Sequence, residues 1–209
     1  MATLFFDTET TGLPIDRRIP ALQNEENWPQ LVSLSWSLWS EGKCVKRGSN
    51  TIKPQGWTIP AGATAIHGIS QENAENNGVP LIDALMEFKQ CVIQSDRIVA
   101  HNMEFDKNVI FHAFAWHLKK DPRRFWPEWA EFCSMNMAKD ELKIPFANAK
   151  KTGDPYKMPG LDEVYRATFN MPAPAKAHSS DRDVEVLEKI YWARWPPSPI
   201  APTAPTASF

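Results

Sequence analysis

No apolar run in the 209-residue sequence approaches the roughly 18 residues that a membrane span needs, because charges interrupt every hydrophobic stretch. The opening residues, Met1-Ala-Thr-Leu-Phe-Phe-Asp7, lack the basic start and apolar block of a secretory signal. These two absences predict a cytoplasmic chain without a membrane partner. Cysteine is scarce as well. Cys44, Cys91 and Cys133 are odd in number and far apart, which excludes a disulfide framework and a CxxC metal knuckle and leaves reduced packing residues. A basic surplus is also missing. With a net charge of −2 and a pI of about 6.2 the chain is not built to coat a duplex by bulk charge, so any nucleic-acid contact is local. Residues 107–157 carry ten Lys and Arg against six Asp and Glu, an excess that a solvated surface of ordinary helices would also give. No repeat of solenoid length is present.

What is there is a globular composition, 43% hydrophobic and 23% charged, in a length that suits one well-cored domain. Residues 2–6 form a short apolar run that stops at Asp7 before a turn-rich stretch, which predicts a buried strand ending at Asp7. Val32, Leu34, Trp36 and Leu38 alternate with Ser33, Ser35, Ser37 and Trp39, the period of a strand with one face in the core. Glu41-Gly42 turns the chain into a third strand over 43–53. Pro80 opens a helix with Leu81, Leu85, Phe88 and Val92 on one stripe. A short strand at 98–100 leads to a helix from about Met103 whose inner face carries Val109, Ile110, Ala113 and Phe114, and a last helix runs from about Ser180 to Pro196-Pro197. This order predicts an α/β domain with a mixed sheet. It assigns 1–195 to the folded domain and 196–209, rich in Pro, Ala and Thr, to a flexible tail.

Four acids stand out from this frame. Asp7 and Glu9 are two apart at the C-terminal end of an extended segment, so they share a face, where they repel each other unless exposed or bridged by a cation. By itself the pattern also fits two surface acids. Asp106 precedes Val109, Ile110 and Ala113 by three, four and seven residues, which puts a carboxylate on a core-facing stripe; such an acid is paired, protonated or metal-bound. Asp183 repeats the situation ahead of Leu187 and Ile190, whereas Asp181 shares a face with Glu185 and Glu188 and is expected in solvent. His178 precedes this helix on a Pro-Ala-Lys-Ala approach expected to let it swing toward a site at the helix start.

The segments Phe-Phe-Asp7-Thr-Glu9-Thr-Thr-Gly-Leu-Pro, His101-Asn-Met-Glu-Phe-Asp106 and His178-Ser-Ser-Asp-Arg-Asp183 resemble, in order and spacing, the three motifs of the DEDDh exonuclease family, the group that includes the polymerase III proofreading subunit. Ala65-Ile66-His67-Gly68-Ile69 resembles the family's segment beside the terminal nucleotide, and Lys157-Met-Pro-Gly-Leu-Asp-Glu-Val-Tyr165 the one ahead of the third motif; the resemblance covers residues 3–192. It implies a ribonuclease H-like fold, a mixed five-stranded sheet flanked by helices. It implies 3′→5′ exonuclease activity in which Asp7, Glu9, Asp106 and Asp183 hold two divalent cations, His178 is the general base, and 5′-nucleoside monophosphates leave. All-oxygen ligands favour Mg²⁺ or Mn²⁺ over Zn²⁺, and an imidazole suits proton abstraction near neutrality. The tyrosine class of the family has Tyr four residues before the last acid, where this chain has Ser179.

The same resemblance points to Thr10, Leu13, Ile66, His67 and Asn102 as substrate contacts, with Leu13 and Ile66 wedged against the last base. The plain alternatives are packing for Leu13 and Ile66, a satisfied turn histidine for His67, and a helix cap for Asn102. Trp57 and Trp126 are either core residues or stacking platforms for bases. The expected partner is a single-stranded or frayed 3′ end, DNA ahead of RNA, with an RNA trimmer as the rival reading. Another rival is a proofreading module whose tail docks on a polymerase or other replication protein. A third, a catalytically silent binding domain, is opposed by the full set of five motif residues. The insertion-like stretch 15–29 and the tail bear on partners more than on chemistry.

Overall fold

The computed structural model describes residues 1–146, 153–175 and 178–196. The tail from 197 and two residues of the approach to His178 lie outside the described residues. The centre is a five-stranded sheet of order β3-β2-β1-β4-β5. Strand β1 (Ala2–Thr10) pairs antiparallel with β2 (Leu31–Ser40), which pairs antiparallel with β3 (Lys43–Thr51). On its other side β1 runs parallel to β4 (Arg97–Ala100), itself parallel to β5 (Glu131–Cys133). The sheet is therefore mixed, as the element order predicts. The boundary that bears on the site is the end of β1. β1 continues through Asp7 and Glu9 to Thr10, because backbone pairing with β2 persists where the apolar run ends, and a bulge between Glu9 and Thr10 then breaks the register.

Alternation along β1 divides the interior. Leu4 and Phe6 face a layer made by α3 (Leu81–Ile93) and α4 (Met103–His112), where the stripe Leu81, Leu85, Phe88 and Val92 and the pair Val109 and Ile110 are fully buried. Each such side chain contributes roughly 1.5–3 kcal/mol relative to exposure. A π-type turn, Ala113–His117, extends α4 and buries Ala113 and Phe114. Phe5 faces the opposite layer, where α7 (Ser180–Arg194) supplies Val184, Leu187 and Tyr191. Between these elements lie α1 (Ala61–His67), α2 (Gln71–Asn77), α5 (Ser134–Leu142) and α6 (Leu161–Phe169).

The serine face of β2, read from sequence as the solvent side, is buried too. Ser33 and Ser35 place their hydroxyls 2.9 and 2.8 Å from that of Ser180, and Ser37 donates to Glu188. Small polar side chains let α7 close onto the strand. Glu188 is accordingly not solvated with Asp181 and Glu185: it is 7% exposed and paired with Arg47 at 2.7 Å, while the other two acids are exposed.

Segment 15–29 is anchored rather than loosely inserted. Ala21 and Trp28 join the core, the Trp116 indole donates to the Ala21 carbonyl at 2.7 Å, and His112 Nε2 donates to the Glu25 carbonyl at 2.7 Å. Of the two tryptophans proposed for stacking, Trp126 offers no free face and Trp57 is half-buried. Trp126 is buried among Phe6, Phe88 and Phe111, and Trp57 is partly buried against His117, because the loops carrying them fold back onto the core. Trp129, 79% exposed, is the aromatic that the sequence reading overlooked. No helix among the described residues is long and apolar enough to cross a membrane.

Candidate active site

Period two on β1 turns Asp7 and Glu9 to the side that Phe5 faces, toward the first turn of α7. Asp183 looks back from that turn, and one oxygen from each of Asp7, Glu9 and Asp183 lies within 4.8 Å of the others. Asp106 reaches the cluster from the first turn of α4. Its Oδ1 accepts from the Thr8 amide at 3.1 Å and the Thr8 hydroxyl at 2.6 Å, so the residue between the two strand acids fixes the helix acid.

Burial and mutual repulsion raise all four carboxyls. Burial, then Asp106, Asp183 and Glu9, lifts Asp7 well above the usual carboxylate range. Glu9 is pushed up to about 8 by burial and then by Asp183 and Asp106. Asp106 rises to about 7, mainly through burial, with the Thr8 hydrogen bonds opposing. Burial also raises Asp183, against Arg182 and His178, whose charges favour its ionised form. Among the described residues, the cation hydrogen-bonded to an acid of the cluster is Arg182, on Asp183. An all-oxygen donor set of this kind fits hard divalent cations.

His178 is exposed, adopts a left-handed backbone with φ 62°, and borders a cavity of about 450 Å³ together with Asp7, Asp183, His101 and Asn102. His101 is a wall residue. Its Nε2 donates to the Pro159 carbonyl at 3.0 Å, its Nδ1 sits 2.9 Å from Ser134 Oγ, and burial lowers its pKa to about 4, so it stays neutral.

An adjoining cavity of about 570 Å³ holds Glu9, Thr10, Leu13, Ile66 and His67. Leu13 and Ile66 are 68% and 61% exposed, which removes the packing alternative and leaves two apolar side chains facing open space beside the acids. Thr10 is buried, with its hydroxyl turned to the Gly12 carbonyl at 2.7 Å. His67 is half satisfied. Its Nδ1 accepts from the Ile69 amide at 3.1 Å, while its buried Nε2 has no well-formed hydrogen bond, and burial lowers its pKa although the Thr10 backbone opposes. Asn102 precedes α4 with φ 74° and makes no side-chain cap, so the capping alternative fails and its amide remains available on the cavity wall.

The structure thus brings together the five motif residues and, in the adjoining cavity, the proposed base contacts. Sequence reasoning missed Thr8 and Arg182. Thr8 was within reach, since a residue between two same-face strand acids must point to the opposite layer, where Asp106 lies. Arg182 carries no such signal. It is 8% exposed, donates to Asp183 Oδ1 at 2.6 Å and reaches the Pro174 carbonyl, contacts that depend on tertiary folding.

Residues 4–191 match the family model RNase_T, described as an exonuclease. Among solved structures, the chain resembles Escherichia coli exonuclease I in complex with a dT13 oligonucleotide, with a TM-score of 0.70 and 16% identity over 93% of this chain and 42% of that one. A zinc-ion-bound form of the E. coli exonuclease I complex with single-stranded DNA gives 0.66 and 17%, over 94% and 41%. A complex of exonuclease I with SSB-Ct gives 0.66 and 17%, over 93% and 42%. The chain therefore spans about two fifths of the length of these structures, and at this identity the likeness concerns the fold, which is ribonuclease H-like. Comparison with curated protein sequences gives no match.

Proposed function

The chain belongs to the RNase_T exonuclease family, of the DEDDh type, and from that premise we propose that it hydrolyses single-stranded or frayed DNA from the 3′ end, releasing 5′-nucleoside monophosphates. The observation that carries the reading is the convergence of Asp7, Glu9 and Asp183 within 4.8 Å, with Asp106 locked to Thr8 at its edge. These four residues would hold two divalent cations, Mg²⁺ or Mn²⁺. Such ions, when bound, make water more acidic and offset charge that builds on the scissile phosphate. His178, open to solvent beside Asp183, takes the proton of the attacking water. Leu13 and Ile66 grip the terminal base, His67 and Thr10 shape the wall behind it, and Asn102 offers its amide to the sugar or phosphate. His101, neutral and doubly held, keeps that wall in place without competing for the proton.

DNA is placed ahead of RNA because the related exonuclease I structures carry dT13 and dA16 oligonucleotides. A replication protein as partner is supported by the exonuclease I complex with SSB-Ct. Docking of such a partner through 196–209, with the catalytic domain ending at 195, is part of the same reading. The test is one purified preparation given matched labelled single-stranded DNA, duplex DNA and RNA with Mg²⁺ or Mn²⁺. A ladder of single-nucleotide steps from the 3′ end of single-stranded DNA is expected, with mononucleotide product. Internal cuts, or no cleavage of any substrate, would overturn the proposal, and faster trimming of RNA would overturn its DNA part.

A further inference from the structure

We propose that Arg182 is a positioning residue that clamps Pro174, four residues ahead of His178, and acts on the rate through that histidine; the inference rests on His178 being the base. The guanidinium is buried where three segments meet. Its Nε and Nη2 donate to the Pro174 carbonyl at 3.1 and 2.5 Å, four residues before His178. Its Nη1 donates to Asp183 Oδ1 at 2.6 Å and pairs with Asp162 Oδ1 at 2.7 Å in the first turn of α6. The residues entering α6, Met158 to Leu161, line the cavity that His178 borders, so one planar group ties Pro174, the start of α6 beside that cavity and a cluster acid together. A forked, always-charged donor suits such a three-way anchor, where a lysine offers only a point charge. The anchor matters because His178 holds a left-handed conformation, φ 62°, that a non-glycine residue keeps only when its surroundings enforce it.

Two other roles are open to a buried arginine here: a purely structural pin, and a charge that conditions the acids for metal. A double-mutant cycle separates them. Single-turnover cleavage of 3′-labelled single-stranded DNA at saturating Mg²⁺ would be measured for the wild type, Arg182→Ala, His178→Ala and the double variant, at a temperature where circular dichroism shows each folded. Arg182→Ala should slow the step by roughly 10- to 100-fold, the usual cost of losing a group that orients a reacting one, with KM changed little. In the His178→Ala background the same change should cost nothing further. Calorimetric Mn²⁺ affinity should be preserved, and Arg182→Lys, which keeps the charge without the fork, should be slow as well; it also serves in the cycle if the alanine variant does not fold. A full effect of Arg182→Ala on top of His178→Ala, a matching loss of Mn²⁺ affinity, a wild-type rate in Arg182→Ala, or full recovery with lysine would each overturn the clamp. A wild-type rate in His178→Ala would instead overturn the base assignment on which the clamp depends.

Discussion

Asp181 and Asp183 stand two residues apart in one helical turn, yet only Asp183 meets Asp7 and Glu9, while Asp181 is exposed and bonded to Ser179. Helical rotation of about 100° per residue makes that difference, and it gives a sharp contrast at the residue scale. Asp183→Asn should abolish cleavage and leave the metal-free fold as stable or slightly more so, since it removes one charge from a repelling set. Asp181→Asn should leave turnover near the wild-type value. Steady-state rates on a labelled oligonucleotide, with thermal melts in EDTA, check both; equal losses would mean the wrong acid was assigned. His178→Ala should slow cleavage by roughly 10²–10⁴ without eliminating it, the range of general-base contributions. Single-turnover cleavage of a labelled oligonucleotide measures the loss, and a wild-type rate in the variant would show that another group takes the proton.

At the element scale the site depends on how closely α7 approaches β2. Ser33 and Ser35 share Ser180 as partner, and Ser35 is in register with Asp7, so the contact that seats the helix lies beside the acids it serves. Ser35→Leu should force extra volume into this seam, costing about 1–3 kcal/mol as overpacking usually does. It should also lower activity at temperatures where the protein is still folded, because Ser180 precedes Asp183 by one turn. Denaturant midpoints and single-turnover rates check the pair, and a destabilised variant with full activity would show that the seam does not position Asp183. The serines also show where sequence reading stops. Asp106 and Asp183 were legible because an acid on an apolar helical stripe breaks a periodic pattern. Ser33, Ser35 and Ser37 followed the pattern of a half-exposed strand, so nothing local revealed a helix on their far side. Glu188 was misread for the same reason, its partners Ser37 and Arg47 lying in β2 and β3. Leu13 and Ile66 show the converse: their apolar character fits packing or ligand equally well, and only the fold reveals that they are exposed and not packed.

For the molecule as a whole, the tail and the titrating interior make separate predictions. A chain ending at Trp195 should keep full activity on short oligonucleotides, since the four acids and His178 all precede that point; loss of cleavage in a folded truncation would place the tail in the substrate path. Stability should respond to pH from two opposed sets of groups. The acids Asp7, Glu9 (about 8), Asp106 (about 7) and Asp183 keep protons in the folded chain that carboxylates of the unfolded chain release near pH 4. Their contribution is therefore fully present below about pH 4 and is lost as pH rises through about 8. Histidines act in the other direction. His101, lowered to about 4, and His67, His112 and His117, also lowered by burial, stay neutral when folded but take up protons near pH 6.5 when unfolded, so their contribution is lost as pH falls. Comparing Asp7→Asn with the wild type isolates the first set, because the histidines are common to both. In EDTA the two melting temperatures should nearly coincide at pH 4–5, where a protonated Asp7 resembles asparagine. The variant should then gain on the wild type as pH approaches 9, by roughly 2–4 °C for each kcal/mol of repulsion relieved. Saturating Mn²⁺ at pH 8 should raise the wild type and leave the variant nearly unmoved, since ligand bound only to the folded state stabilises it in proportion to affinity. A difference between the two proteins that stays flat from pH 4 to 9 would mean that Asp7 ionises as freely in the fold as in the unfolded chain, and the four acids would no longer form a site that cations complete.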